Sequence, residues 1–224
     1  RKCFANSINA AIDASRVLWN WMDILPHIRA RDFVSIEGVE VVASTEKTDS
    51  LIEEVRNNWL SKLLLVQWDS WNAEDVWWDN PQITLKFLEY LKSQLWSDIS
   101  LYTAIDQYRW KDEHSRIQEK SDSGSDGFFT QPFFSKKELE EWMNRYHSDT
   151  LYYWLSPVVW DKAKSYWERV NRVAFPQEFE TTEDYNLRLA RILYRAISTS
   201  EKGCYLMPIR FPVIKYLSST IQGQ

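Results

Sequence analysis

The chain has 224 residues, 44% of them apolar and 26% charged, an ordinary globular balance with enough length to bury a sizeable core. Its net charge of −5, with bases interleaved among acids, argues against capture of a nucleic-acid backbone. Five glycines leave little material for an all-β fold or a phosphate-cradling loop, and no apolar run approaches the ~20 residues that cross a bilayer. The thirteen tryptophans read mainly as bulky core filler. A chain that opens at Arg1 without Met is expected to be a piece of a longer one.

In chain order, Ile8, Ala11, Ile12, Val17, Leu18, Met22 and Leu25 predict a first helix from about Ser7 to Leu25, ended by Pro26. The stretch from Phe33 to Val42 is the one strand-like piece, with Glu37-Gly38 able to turn a short hairpin and an irregular loop packed on helices as the equal alternative. Ser50 with Glu53 forms a capping box that opens a helix through Leu51, Val55, Trp59, Leu63 and Val66. Asn80-Pro81 starts another, carrying Ile83, Phe87, Leu88, Leu91 and Leu95. A further helix from Ser97 or Asp98 holds Leu101, Ala104, Ile105 and Tyr108, and continues into Lys111-Asp112-Glu113-His114.

The run from Ser121 to Gly127 reads as a mobile, solvated loop, with a regulatory serine as the less favoured alternative. Ser135 with Glu138 is a second capping box, opening a helix through Leu139, Trp142 and Met143. Ser156-Pro157 caps and starts the next, with Val158, Val159, Trp160, Ala163, Trp167 and Val170. Thr181 with Asp184 opens a long helix, and a short last one spans about Val213 to Ile221. These readings predict an all-α fold, a multi-helix orthogonal or antiparallel bundle with at most a short β-hairpin near residues 33–42.

Catalytic and metal chemistry find no foothold in the spacing. His27, His114 and His147 have no second histidine four residues away and no nearby cysteine, so no zinc set is formed, and no cofactor is expected. His27 is placed in a loop, His114 on a charged face and His147 near a helix end. No nucleophile elbow, Walker loop or dinucleotide fingerprint occurs. The pairs Glu53-Glu54, Asp112-Glu113 and Glu140-Glu141 read as solvated helix faces. Cys3 and Cys204 permit a bond in an oxidising compartment, but two free thiols in an intracellular, cytoplasmic chain is the preferred reading.

Two segments resemble the regulator-of-G-protein-signalling (RGS) homology domain. The first runs from Asn80-Pro81 through Phe87-Leu88-Glu89-Tyr90-Leu91-Lys92-Ser93 to Leu101-Tyr102-Thr103-Ala104-Ile105-Asp106-Gln107-Tyr108. The second is Val159-Trp160-Asp161-Lys162-Ala163-Lys164, followed by Phe175-Pro176, Phe179 and Tyr185. The resemblance covers residues 75–190 or so. It implies antiparallel helices joined by polar loops that grip the switch regions of a Gα subunit, which then hydrolyses GTP with its own residues.

The loops depart from the family pattern. Ser97-Asp98-Ile99 stands where Glu-Asn is usual, Val173-Ala174 replaces Asp-Ser, and Glu178 falls where a base is expected. Losing polar contacts of ~0.5–3 kcal/mol each leaves little GTPase acceleration. The resemblance therefore implies a docking or scaffolding module with a protein partner, a Gα subunit among the candidates, and no enzymatic role. The partner-binding residues the resemblance implies are Ser97, Asp98, Ile99, Val173, Ala174 and Glu178. The division expected is a helical extension over 1–74, an RGS-like core over 75–195 and a helical tail over 196–224. The competing reading is a helical binding protein of another class, a secreted effector or a nucleoprotein.

Overall fold

The structure is a computed structural model describing residues 27–30, 33–37, 40–57, 60–66, 81–95, 99–108, 113–146 and 150–221. Among those residues strands alternate with helices, so the chain is α/β and the expected all-α bundle is corrected. The chain divides into two compact units, one of Arg1–Ala104 with His114–Phe128 and one of Ile105–Glu113 with Phe129–Gln224. The predicted helix Ser7 to Leu25 lies outside the described residues.

The first unit is built on parallel strands. Strand β1 (His27–Arg29) pairs with β4 (Lys62–Val66) in the register Ile28 to Leu65, and β4 pairs with β5 (Ser100–Ala104) in the register Leu64 to Tyr102. The order is β1-β4-β5, followed by β6 (Gly127–Phe129), whose residues are divided between the two units. Leu63, Leu64 and Leu65 are all buried, and so are Leu101, Tyr102 and Thr103. Neighbouring side chains on a strand face opposite ways, so three buried in succession require cover on both sheet faces. The hairpin foreseen near 33–42 is present as β2 (Val34–Glu37) and β3 (Glu40–Ala43), closed by Glu37 opposite Glu40.

Helix α1 (Thr45–Asn57) buries Thr48, Leu51, Ile52 and Val55, a helical stripe. It starts ahead of Ser50, so the capping box read at Ser50 lies inside the helix. Helix α2 (Pro81–Gln94) begins at the proline, as the sequence indicates, and Phe87 stacks on Phe33 with ring centroids 5.3 Å apart. Helix α3 (Glu113–Asp122) precedes β6. The Ser121-to-Gly127 run is pinned more firmly than a mobile loop. Asp126 accepts from the Leu101 amide at 2.7 Å and from Lys92 at 2.7 Å, while Ser125 meets the Thr103 hydroxyl at 3.0 Å.

In the second unit β7 (Leu151–Leu155) runs parallel to β8 (Gly203–Leu206), Tyr153 opposite Cys204. Backbone bonds from Thr130 to Tyr152 at 3.0 Å and from Phe133 to Trp154 at 3.1 Å advance together along both chains. The β6 extension is therefore parallel to β7, and the order here is β6-β7-β8. Around these strands lie α4 (Lys136–Arg145), α5 (Asp161–Val170), α6 (Glu183–Thr199) and α7 (Val213–Ile221). Helix α6 buries Asn186, Leu187, Ala190, Leu193 and Ile197 on one stripe, and Lys215 of α7 pairs with Glu183 of α6.

The misread segments share one cause. Leu101 to Tyr108 and Leu63 to Val66 are apolar runs short enough to be either helix or doubly covered strand, and periodicity does not separate the two. Ser156-Pro157 does not start a helix either. Strand β7 ends at Leu155, and α5 begins five residues past Ser156 with Trp160 as its N-cap. Thr182 rather than Thr181 caps α6, accepting from the Tyr185 amide at 3.4 Å.

Two substitutions test this packing. A Cβ at Gly203 would lie 2.4 Å from Tyr152 Cδ1, so Gly203→Ala is expected to cost about 1–3 kcal/mol in urea denaturation, the range for overpacking. The Tyr153 hydroxyl is buried with no hydrogen-bond partner among the described residues. Tyr153→Phe is therefore expected to hold stability level or raise it by about 1 kcal/mol.

Candidate functional site

In parallel α/β sheets the backbone ladder runs out at the carboxyl ends of the strands, and the loops that leave there hold the polar groups that meet ligands. In the second unit those ends are followed by Thr130-Gln131-Pro132 after β6, Ser156 to Trp160 after β7, and Met207 to Arg210 after β8. The segment Ile105 to Tyr108 joins them, its Ile105 amide donating to the Phe129 carbonyl at 2.8 Å.

Gln107 continues the ladder with its side chain. Its Nε2 donates to the Gln131 carbonyl at 2.8 Å, and its Oε1 accepts from the Gln131 amide at 3.0 Å. Gln131 is thus held by its backbone, while its own side-chain amide, half-buried, has no hydrogen-bond partner among the described residues. Next to it, Tyr108 donates its hydroxyl to the Pro132 carbonyl at 2.8 Å and to Glu138 Oε2 at 3.4 Å. The Tyr108 amide is turned onto Asp106 Oδ1 at 3.0 Å.

Glu138 sits in the first turn of α4. The Ser135 half of the predicted capping box is realised, with Ser135 Oγ accepting from the Glu138 amide at 3.4 Å, and the Glu138 carboxylate meets Tyr108. Burial raises the Glu138 carboxyl from 4.5 to about 6, the nearby Glu141 charge adds to the rise, and the Tyr108 hydrogen bond opposes it. Tyr108 itself is pushed well above its usual value by burial first and by the Glu138 charge second. The Glu138 carboxyl therefore changes charge near neutrality.

The loop after β7 is fixed by Asn186 of α6. Asn186 Oδ1 accepts from the Val158 amide at 2.8 Å, and Nδ2 donates to the carbonyls of Val158 at 3.0 Å and Thr182 at 2.8 Å. Ser156 Oγ accepts from the Ile209 amide at 3.4 Å, which ties the loop after β8 to the loop after β7. Behind these loops lies an aromatic cluster. Phe134 stands 4.6 Å from Phe175 and 5.7 Å from Phe179, and Trp154 stands 5.7 Å from Trp167. Lys164 Nζ covers the Phe175 ring at 5.6 Å.

The described residues among those singled out for partner binding fall in both units. Ser97 and Asp98 lie outside the described residues. Ile99 is buried just ahead of β5 in the first unit. Val173 is buried in the aromatic cluster of the second unit, whereas Ala174 and Glu178 are exposed on it. The Phe175-Pro176 turn of the resemblance is half-buried, Phe175 packing against that cluster, with the Phe179 amide closing on the Pro176 carbonyl at 2.9 Å. His27 is the first residue of β1 and not a loop residue, and His147 lies outside the described residues. Among the described residues no group of three His, Cys, Asp or Glu is placed to hold a metal, and no helix is long and apolar enough to cross a membrane. Cys204 is a free thiol in β8 that burial pushes up, while Cys3 lies outside the described residues.

The sequence reading missed Gln107, Tyr108 and Gln131 as site residues. The available signal was Gly127-Phe128-Phe129-Thr130-Gln131-Pro132, an apolar strand run that ends in a polar residue and a proline.

No protein-family model matches the chain, and no curated protein matches it. Among solved structures, the chain is similar to one from Toxoplasma gondii provisionally described as an orotidine-monophosphate decarboxylase. The identity is 9%, the match covers 98% of this chain and 74% of that one, and the TM-score is 0.49. The RGS resemblance is corrected. Leu101 to Ala104 is a parallel strand where the family needs a helix. The Gα-docking scaffold falls with it, as does the alternative of a helical binding protein. The expectation that the chain is not an enzyme rested on the same bundle and no longer stands.

The balance at Glu138 sets two expectations. Tyr108→Phe removes a donor to the carboxylate, so Glu138 should titrate above its present value of about 6 when followed by NMR of its carboxyl carbon. A carboxyl whose folded pKa lies above its unfolded one stabilises the fold below the unfolded value, and loses that contribution as pH rises through the folded value. Stability should therefore fall between pH 4.5 and about 6 from this group. Glu138→Gln should flatten that slope by about 1 kcal/mol after allowance for partial solvent screening.

Proposed function

We propose that the second unit binds a small polar molecule across the carboxyl ends of β6 and β7, and that Glu138 exchanges a proton with it. Two observations support this reading: the Gln131 side-chain amide, which has no partner among the described residues, at the end of β6, and the Glu138 carboxyl, raised to about 6 by burial and linked through Tyr108 to the neighbouring Pro132 carbonyl. An amide offers two donors and an acceptor in one plane, and it pairs with the edge of another amide, a carbonyl or a carboxylate. Near pH 7 a group with a pKa of about 6 is ionised in most molecules and protonated in roughly a tenth, so it serves as base and as acid. Tyr108 positions the carboxylate, and Gln107 fixes the backbone from which the Gln131 side chain extends.

Acetamide and acetate, titrated separately into the isotopically labelled full chain, test this. Shifts are expected at the Gln131 side-chain amide and at the Glu138 carboxyl carbon, with Gln131→Ala weakening binding about tenfold, the scale of one lost hydrogen-bonding edge. Shifts confined to other faces of the unit would overturn the reading.

A further inference from the structure

Met207 follows β8 directly and is held on three sides at the carboxyl end of the strands. Its amide donates to the Leu155 carbonyl at 3.3 Å, its carbonyl accepts from Trp154 Nε1 at 3.1 Å, and its sulfur accepts from the Tyr205 hydroxyl at 3.0 Å. Burial pushes the Tyr205 phenol up, so the hydroxyl keeps its proton and stays a donor. Two residues on, the Ile209 amide is tied to Ser156 Oγ at 3.4 Å, so the connection after β8 hangs on β7 and its loop. The Met207 side chain is half-buried and packs against the aromatic cluster that contains Trp154 and Trp167. Met143, the other described methionine, is buried, which leaves Met207 the more accessible of the two to a small solute.

We propose that Met207 is an oxidative modification site, and that its sulfoxide loosens the connection after β8 from β7. The reagent is a peroxide. A sulfur lone pair forms a bond to one peroxide oxygen, the O–O bond breaks, and water or an alcohol leaves, so sulfur is oxidised and the peroxide reduced. The change turns an apolar packing group into a polar one. The sulfoxide oxygen is a stronger acceptor for the Tyr205 hydroxyl than the thioether was, but the 3.0 Å between hydroxyl and sulfur has no room for it. An O–H···O bond alone spans about 2.7 Å, and the S–O bond adds to that, so sulfur and hydroxyl move apart to make it. The Met207 backbone, bonded to Leu155 and to the Trp154 indole, bears that displacement. This site is independent of the Gln131 and Glu138 reading.

The test treats the full chain with hydrogen peroxide and maps the gained oxygen by peptide mass. Met207 is expected to oxidise roughly tenfold faster than Met143, as exposure dictates. The Trp154 indole N–H should then shift, and the Ile209 amide should exchange with solvent roughly tenfold faster, the scale of one lost hydrogen bond. Methionine sulfoxide reductases of both epimer specificities should restore both signals. Met207→Leu should abolish the response, and Met143→Leu should keep it. No oxygen gained at Met207, or oxygen gained with the indole and the Ile209 amide unmoved, would overturn the proposal. A response that persists in Met207→Leu, or a rise in exchange shared by every amide of the unit, would overturn it as well.

Discussion

Backbone amides and carbonyls buried away from water must be paired, and in the described strands that pairing is done by the neighbouring strand. The constraint is severe here because Leu63 to Leu65, Leu101 to Thr103 and Tyr153 to Leu155 are buried without alternation. Neither face of such a strand can carry a charged group, since desolvation would cost several kcal/mol. Polar chemistry is therefore pushed to where the ladder stops. Gln107 marks that point in the second unit. Its side-chain amide has the same donor and acceptor as a peptide group, and it supplies the next rung opposite Gln131 after the backbone itself has turned away. The ladder ends with its last backbone groups satisfied and one side-chain amide left over.

The electrostatics of Glu138 follow from the same crowding. A carboxylate in the first turn of a helix is favoured by the helix dipole, and the Tyr108 hydroxyl donates to it. Both effects lower a carboxyl pKa. Burial and the Glu141 charge act the other way, and burial is the largest of them, so the net result is a rise to about 6. The sign of the shift thus records how far the β6 and α4 connection has withdrawn the group from water. Tyr108 is the reason the rise stops there, because its hydroxyl is already anchored on the Pro132 carbonyl and cannot swing away.

Local signals in the sequence were read where they are local in origin. The cap at Ser135, the proline start at Pro81, the hairpin over residues 34–43 and the last helix from Val213 all depend on residues within a turn or two of one another, and the structure has them. What the sequence did not yield was the partner of each apolar run. Leu-Leu-Leu at 63–65 makes a strand only because β1 and β5 flank it, and those neighbours lie tens of residues away. The site suffered the same loss. Gln131 and Gln107 stand 24 positions apart and look like unremarkable polar residues until the strands bring their backbones together. Glu138 was legible as a capping residue, but its diversion to Tyr108, 30 positions away, was not.

The mistaken family resemblance has a physical explanation in the second unit. The Trp160-Asp161-Lys162-Ala163-Lys164 segment does begin a helix, the Phe175-Pro176 segment does make a tight turn, and Tyr185 does lie in the helix that follows. Phe175, Phe179 and Tyr185 touch edge to face or tilted, with centroids 4.5 and 5.3 Å apart, and form an aromatic clasp between two helices. Any fold that must join two helices over a strand edge gains from such a clasp, because aromatic pairs bury much area and keep preferred geometry. An aromatic motif of this kind reports a helix–turn–helix connection and is silent on what lies beneath it. Here the layer beneath is Trp154 on β7, and the strand, not a third helix, decides the architecture.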